Sequence, residues 1–248
     1  MKSCDLKHLF LERLGVPFKS LYFAVPDLHG RSDIARKVVA LLEEIQAMNV
    51  VFLGDMIDRM EDPLGVVRAI SLGKAQNPSW VVLLGNHEDM ALEAFRGSIP
   101  LDEENSIFNI CTPAEIEECC KIFSALPVFH ETDYLLFTHG GIEASYDRPL
   151  EEIPRSELLW TYGVHRNYVR KKVVRGHEIF DRPTESVNNI ATQTASWCDN
   201  TPFCISILSN TPRDRKLLGW IEIELTGTDE VNLVILDPVS EKRQKVST

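Results

Sequence analysis

The sequence predicts an α/β protein in which two packed, mixed β-sheets are flanked by helices. Three observations carry that expectation. The first half alternates short apolar runs with stretches of helical periodicity, the pattern of β–α units. The second half is mostly strand-like. Five of the apolar runs end in a glycine-bearing turn that presents Asp, Asn or His.

Leu21–Val25 is an apolar run stopped by Pro26 and reads as a buried strand. Ser32 or Asp33 is the expected cap of the next helix, whose apolar positions Ile34, Val38, Leu41, Leu42 and Ile45 recur at helical spacing. Residues 50–53 form the second expected strand, and Asp62-Pro63 reads as the cap and first residue of a second helix. Residues 80–84 form a third strand, followed by a helix through Ala91 and Phe95. Thr112-Pro113-Ala114-Glu115 has the form of a capping box, which predicts a helix from there to about Leu126. Beyond it, residues 128–129, 134–138, 172–175, 203–208, 218–225 and 231–236 read as strands. Ile221, Ile223 and Leu225 alternate with Glu222 and Glu224, which predicts one wet face and one buried face.

Composition narrows the function. With 248 residues, 44% hydrophobic and 25% charged, the chain is that of an ordinary globular protein and can bury a core without disulfides. No repeat, low-complexity tract or linker divides it, so residues 1–248 are read as one domain. A net charge of -11 argues against a long nucleic-acid partner, which would need a basic face. The six cysteines contain no CxxC pair, so a zinc ribbon or thioredoxin-type site is not supported and free thiols in a reducing compartment are expected. The opening MKSCDLKHLFLERLG is broken by charges and has no apolar signal core, and no apolar window is long enough to span a bilayer. The cytoplasm is the expected location, although export by a route that needs no such signal would leave the same sequence. A monomer without membrane attachment is expected.

The chemistry-bearing residues fall at strand ends. The first strand runs into Asp27-Leu28-His29-Gly30 and the second into Gly54-Asp55-Met56-Ile57-Asp58-Arg59. The third runs into Gly85-Asn86-His87-Glu88, and the strands at 134–138 and 172–175 run into His139-Gly140-Gly141 and Gly176-His177. Ligands bind α/β sheets at the carboxyl ends of strands, where glycine allows sharp turns and close approach. Carboxylate, imidazole and amide oxygen form an intermediate donor set that suits Mn, Fe, Zn or Mg. A ligand shared by two ions must be a carboxylate, and two ions about 3.5–4 Å apart can grip the oxygens of a phosphoryl group.

Taken singly, each motif has a structural reading. Asp-x-His can turn a chain and cap a helix. Gly-Asn-His-Glu can start one, with Asn86 as cap and Glu88 complementing the dipole. His139 and His177 alone would be ordinary histidines. Five such coincidences in this order are what the structural readings together would require.

The ordered set DxHG, GDxxDR, GNHE, HGG and GH resembles the calcineurin-like metallophosphoesterases. Within them it is most similar to the PPP-type serine/threonine protein phosphatases, particularly their short bacterial and phage members. The resemblance implies that Asp27, His29 and Asp55 hold a first divalent ion. Asp55, Asn86, His139 and His177 would hold a second, with Asp55 bridging and manganese the first choice. It makes His87 the general acid, Asp58 the residue that orients it, and Arg59 and Asn86 contacts to the substrate phosphate. Hydrolysis is then direct, by a hydroxide shared between the metals, without a phosphoenzyme.

The implied substrate is phosphoserine or phosphothreonine, with phosphotyrosine as a further option, in a protein or peptide partner. Two alternatives stand beside it: a symmetrical dinucleoside polyphosphate hydrolase acting on diadenosine tetraphosphate, and an inactive module that only binds phosphorylated partners. Asp58-Arg59 and Glu88 favour the first, since the tetraphosphatases generally carry GNHD and lack that aspartate. A complete ligand set with His87 disfavours the inactive module.

The sequence also departs from the family pattern. Pro26 stands where glycine usually precedes DxH, and Met60 where glycine commonly follows GDxxDR. Leu158-Leu159-Trp160 resembles the segment that in short relatives carries a phosphate-binding arginine, but Thr161 and Tyr162 follow. Arg166 or Arg170, in the one basic cluster of the chain, could take over that work; the cluster could equally be a solvated face. His165 lies close by in sequence and reads as a surface residue. After His177 the usual DTG-like strand has no counterpart.

Overall fold

The computed structural model describes residues 16–100, 106–143, 149–165, 170–193, 202–211, 215–223 and 231–236, and the backbone of 243–247. Strands β1 (Leu21–Val25), β2 (Val50–Phe52) and β3 (Val81–Val82) lie parallel and side by side. Between them run α1 (Ser32–Glu44) and α2 (Pro63–Gln76). After β3 come α3 (Asn86–Phe95), α4 (Ile107–Ile110) and α5 (Pro113–Ser124). The chain then forms β4 (Phe129–Glu131), β5 (Leu135–Thr138), α6 (Arg155–Trp160), β6 (Lys172–Arg175), β7 (Thr184–Glu185) and β8 (Asn189–Ala191). It ends with β9 (Phe203–Asn210), β10 (Arg215–Ile223), β11 (Val231–Leu236) and β12 (Arg243–Ser247).

Two mixed sheets result. The larger has the order β12-β11-β10-β9-β1-β2-β3, with β9 joining β1 antiparallel. The smaller has the order β4-β5-β6-β8-β7, with β5, β6 and β8 parallel. The two-residue period of a strand sends alternate side chains to opposite faces, and both faces here are covered. Phe23, Val25 and Phe52 pack with Val38, Leu42, Val66 and Phe123 from the helices. Ala24, Val51 and Leu53 face the other way and meet Leu135, Phe137 and Val174 of the smaller sheet. That sheet's outer residues Leu136 and Val173 are covered by Ile153 and Leu158. The layers are therefore helix, sheet, sheet, helix, as the sequence predicts.

Several local expectations are corrected. The cap position of α1 is Arg31, with no side-chain cap bond, and Ser32 lies buried inside the first turn. Asp62 does cap α2, accepting from the Gly65 N–H at 2.9 Å, and Thr112 with Glu115 closes the capping box of α5. In β10 the expected alternation holds over 221–223, with Glu222 half-buried between buried Ile221 and Ile223; upstream, a register shift between Leu217 and Gly219 leaves both faces buried, Leu217 and Trp220 joining one core and Leu218 and Ile221 the other. Leu225 and Glu224 lie outside the described residues. The short elements α4, α6, β7, β8 and β12 carry too few periodic residues to be read from sequence. A strand does form after His177, at Asn189–Ala191, without the DTG-like motif.

Cys111, Cys119, Cys120 and Cys204 are free thiols, as expected; burial pushes Cys119 up to about 12. No helix among the described residues is long and apolar enough to cross a membrane.

Candidate metal centre

The turns after β1, β2, β3, β5 and β6 meet at one end of the sandwich, and their backbones are tied to each other before any side chain is considered. Leu28 and His29 each donate an N–H to the Asp55 carbonyl at 2.9 Å, and Gly30 donates to the Met56 carbonyl. Gly140, Gly141 and Ile142 donate to the carbonyls of Leu158, Thr161 and Gly163, which lays residues 158–163 along the His139 turn. His29, Asp55, Asp58, Arg59 and His177 all have positive φ, between 42° and 65°. Only one other described non-glycine residue, Gln46, shares that conformation. Such strain persists only where the surroundings fix it, and it clusters at functional sites. Gly176 shows how close the approach is: a Cβ there would stand 2.4 Å from Asp27 Oδ1.

Glu88 is the hub of this framework. Fully buried, it accepts N–H bonds from Asp55 (2.9 Å), Met56 (2.7 Å), Ile57 (3.2 Å) and Gly85 (2.9 Å). It thus joins the β2 turn to the start of α3. The sequence shows Glu88 only as part of a motif; this bracing role is legible from no spacing. Gln193 was missed for the same reason. Its buried side-chain oxygen accepts the Asp27 N–H at 2.7 Å across 166 residues of chain.

The polar side chains converge on Asp55. Its Oδ2 lies 3.4 Å from His139 Nε2, 3.7 Å from His29 Nε2 and 3.9 Å from His87 Nε2. Its Oδ1 accepts the His87 N–H at 3.0 Å. Asp27 Oδ2 is 3.9 Å from His29 Nε2, and Asn86 Oδ1 is 2.7 Å from His139 Nε2. Two groups of donor atoms, each within 4.8 Å of one another, could hold a metal ion: His29, Asp55 and His87, and Asp55, His139 and His177. Asp55 belongs to both. His87 stands in the first, although the family resemblance implies a different part for it.

Three histidines share one orientation. His29 Nδ1 bonds the Ile57 carbonyl at 3.1 Å and His139 Nδ1 bonds the Leu53 carbonyl at 2.8 Å. His177 is held by the Trp160 backbone. Metal-binding histidines are fixed in this way through the second ring nitrogen. The buried His177 Nε2 has no hydrogen-bond partner at all, a costly arrangement unless a ligand completes it. The donor set and this orphaned nitrogen fit a metal pair.

Electrostatics agree. Burial lowers His29 to about 3 and His177 to about 4, so both rings are neutral at neutral pH. Burial would also lower His139, but the Asp55 and Asp27 carboxylates outweigh it and raise it to about 9. Burial lifts Asp27 and Glu88 to about 7. Asp55 is pulled the other way, well below the usual carboxylate range: burial is outweighed by His139 and His87.

Beside this cluster, the buried Asp58 accepts from His87 Nδ1 at 2.9 Å and from the Ile107 N–H at 3.3 Å. Arg59 Nη2 lies 3.4 Å from His87 Nε2. Of the two remaining expected substrate residues, the structure describes one, and it is not brought here. Arg166 lies outside the described residues. Arg170 is exposed before the start of β6, the end of that strand opposite His177. The rest of the basic cluster is spent on ion pairs, Lys171 with Glu131, Lys172 with Glu185 and Arg175 with Glu178. His165 faces a cleft beside the cluster.

A two-sheet sandwich with buried Asp, Asn and His gathered at its strand ends is the architecture of a metallophosphoesterase. The chain belongs to the calcineurin-like phosphoesterase family, whose pattern it matches over residues 22–201. It is 26% identical to serine/threonine-protein phosphatase 2 of Escherichia coli, over 70% of this chain and 87% of that one. It is 28% identical to a symmetrical bis(5'-nucleosyl)-tetraphosphatase of a Marinomonas species, over half of this chain and 46% of the relative. Among solved structures, a Saccharomyces cerevisiae serine/threonine phosphatase shares the fold with a TM-score of 0.57 at 16% identity, covering 86% of this chain and 84% of that one.

Proposed function

We propose that this metallophosphoesterase is a phosphomonoesterase of the PPP type that dephosphorylates serine and threonine, and also tyrosine, in proteins. The observation that carries the reading is the His87–Asp58 pair beside Arg59. An alkoxide is a poor leaving group near neutral pH, so the reaction needs an acid next to the phosphoryl group. Asp58 fixes the His87 ring through Nδ1 and leaves Nε2 facing the cluster. To donate a proton, Nε2 must give up its contact with Arg59, whose planar fork is then released to phosphate oxygens.

In this reading Asp27, His29 and Asp55 hold one divalent ion, and Asp55, Asn86, His139 and His177 hold the other. The ions, manganese by first choice, would polarise the phosphoryl oxygens and activate water for attack. His29 and His139 keep their Nε2 atoms inward through bonds to Ile57 and Leu53. Glu88 holds the Asp55 and Asn86 turns in register. Relatives with both named activities match this chain, so substrate choice is the point to test. A manganese-supplemented turnover panel should compare phosphoserine, phosphothreonine and phosphotyrosine peptides with diadenosine tetraphosphate. The proposal expects hydrolysis of the peptides; activity confined to the dinucleotide overturns it, and inactivity with every metal would point to a binding module.

A further inference from the structure

One wall of the site is aromatic. Tyr162 is 66% exposed, yet its ring stacks on His177 at a centroid distance of 4.7 Å and an interplanar angle of 24°. Trp160, 44% exposed, meets the same imidazole edge-on at 6.1 Å. Large aromatic rings left open to water are costly, and those beside a reactive centre commonly meet a ligand. Tyr162 and Trp160 also line a cleft of about 770 Å³. A cavity of roughly 150 Å³ already admits benzene. Ile142, Pro154 and Val164 add apolar lining, and among the described lining residues Glu143 and Glu157 are the acidic ones.

The backbone holds this wall in place. Thr161 and Gly163, on either side of Tyr162, accept N–H bonds from Gly141 at 2.6 Å and Ile142 at 3.0 Å. The Tyr162 ring is therefore registered to the His139 turn as well as to His177. A loosely tethered surface tyrosine would have neither constraint.

We infer that Tyr162, backed by Trp160, is a specificity-determining residue: it stacks on a planar aromatic group carried directly by the phosphate, as in the phosphotyrosine side chain. The ring belongs to the leaving group, because a phosphomonoester carries only one organic substituent on its phosphate. A nucleotide would also offer a ring, but it brings further phosphates, which the carboxylates of Glu143 and Glu157 repel. The inference rests on the phosphomonoesterase reading and sharpens its substrate class, aryl before alkyl.

Turnover would confound stacking with leaving-group quality, so the test is equilibrium binding of non-hydrolysable phosphonates. Manganese-loaded protein is titrated calorimetrically with phenylphosphonate and with ethylphosphonate, and bound metal is measured on the same samples. Wild type should bind phenylphosphonate more tightly. Tyr162→Ala should narrow the ratio of the two dissociation constants by roughly five- to tenfold, the scale of one aromatic stacking contact. Tyr162→Phe should preserve the ratio, because the ring and not the hydroxyl does the work. A purely structural tyrosine would move both constants together and leave the ratio unchanged, which overturns the inference. Equal wild-type binding of the two phosphonates also overturns it while leaving the phosphomonoesterase reading intact. Binding of neither removes both. A phenyl phosphonate outcompeted by diadenosine tetraphosphate, with the Tyr162→Ala loss seen only for the dinucleotide, would assign the ring to a nucleobase and contradict the aryl-ester assignment.

Discussion

At the scale of single residues, the proposed chemistry turns on Asp55 and His87. Asp55 faces three imidazoles within 3.9 Å and belongs to both possible metal groups. His87 sits in one of those groups as well, so its part must be separated by experiment. If it is the acid, His87→Asn should lower turnover about 10²–10⁴-fold with metal content unchanged. The loss should shrink for substrates with good leaving groups. An emptied metal site in this variant would make His87 a ligand instead.

The protonation pattern gives a second residue-level expectation. His139, raised to about 9, keeps a proton at pH 7 that a metal must displace, and Asp27, raised to about 7, is partly protonated there too. His29 and His177, lowered to about 3 and 4, have none to lose. Metal uptake at pH 7, followed calorimetrically in buffers of different ionisation enthalpy, should therefore release at least one proton per chain. Release should diminish as pH approaches 9, where His139 is losing its proton unaided; no release at pH 7 would contradict the pattern.

Turns and strands explain why these residues meet. Every liganding residue proposed here follows a strand, and the strands' apolar runs with their terminal glycines made that placement readable. What could not be read was the bracing between turns. Glu88 joins residues 33 positions apart, and Gln193 reaches Asp27 across 166. Such contacts are fixed by sheet order, which no local period encodes. The Ser32 cap failed because Arg31 occupies the cap position and Ser32 is drawn into the buried first turn. Upstream of the Ile221–Ile223 alternation both faces of β10 are buried, because its sheet is sandwiched and a register shift between Leu217 and Gly219 redirects the side chains. Glu88 carries the prediction at this scale. Glu88→Ala strands four buried N–H groups, each costing about 1–3 kcal/mol if left unpaired. With partial relaxation we expect a loss of about 3 kcal/mol or more in chemical denaturation, together with weaker metal binding. A loss below about 1 kcal/mol would show that the turns hold themselves.

At the scale of the molecule, three apolar clusters among the described residues stand apart from the polar end. One lies between helices and the larger sheet, one between the sheets, and one under α6. The layer order was legible because apolar alternation changes character midway along the chain. The proposed metal pair would thus decorate a fold whose apolar cores form without it. Chelator-treated protein should keep its circular dichroism spectrum and a cooperative melt while losing turnover. Manganese at a hundredfold excess over its dissociation constant should add about 2.7 kcal/mol per site to stability. Unfolding on chelation would mean that the clusters alone are insufficient.

In the proposed site five strand ends hold two metal ions with Asp55 shared between them. Elemental analysis of manganese-loaded, gel-filtered protein, wild type and Asp55→Asn, decides whether they do. About two ions per wild-type chain are expected, the number a shared site implies, with loss of both in the variant. One ion per wild-type chain, or two retained after Asp55→Asn, would contradict it.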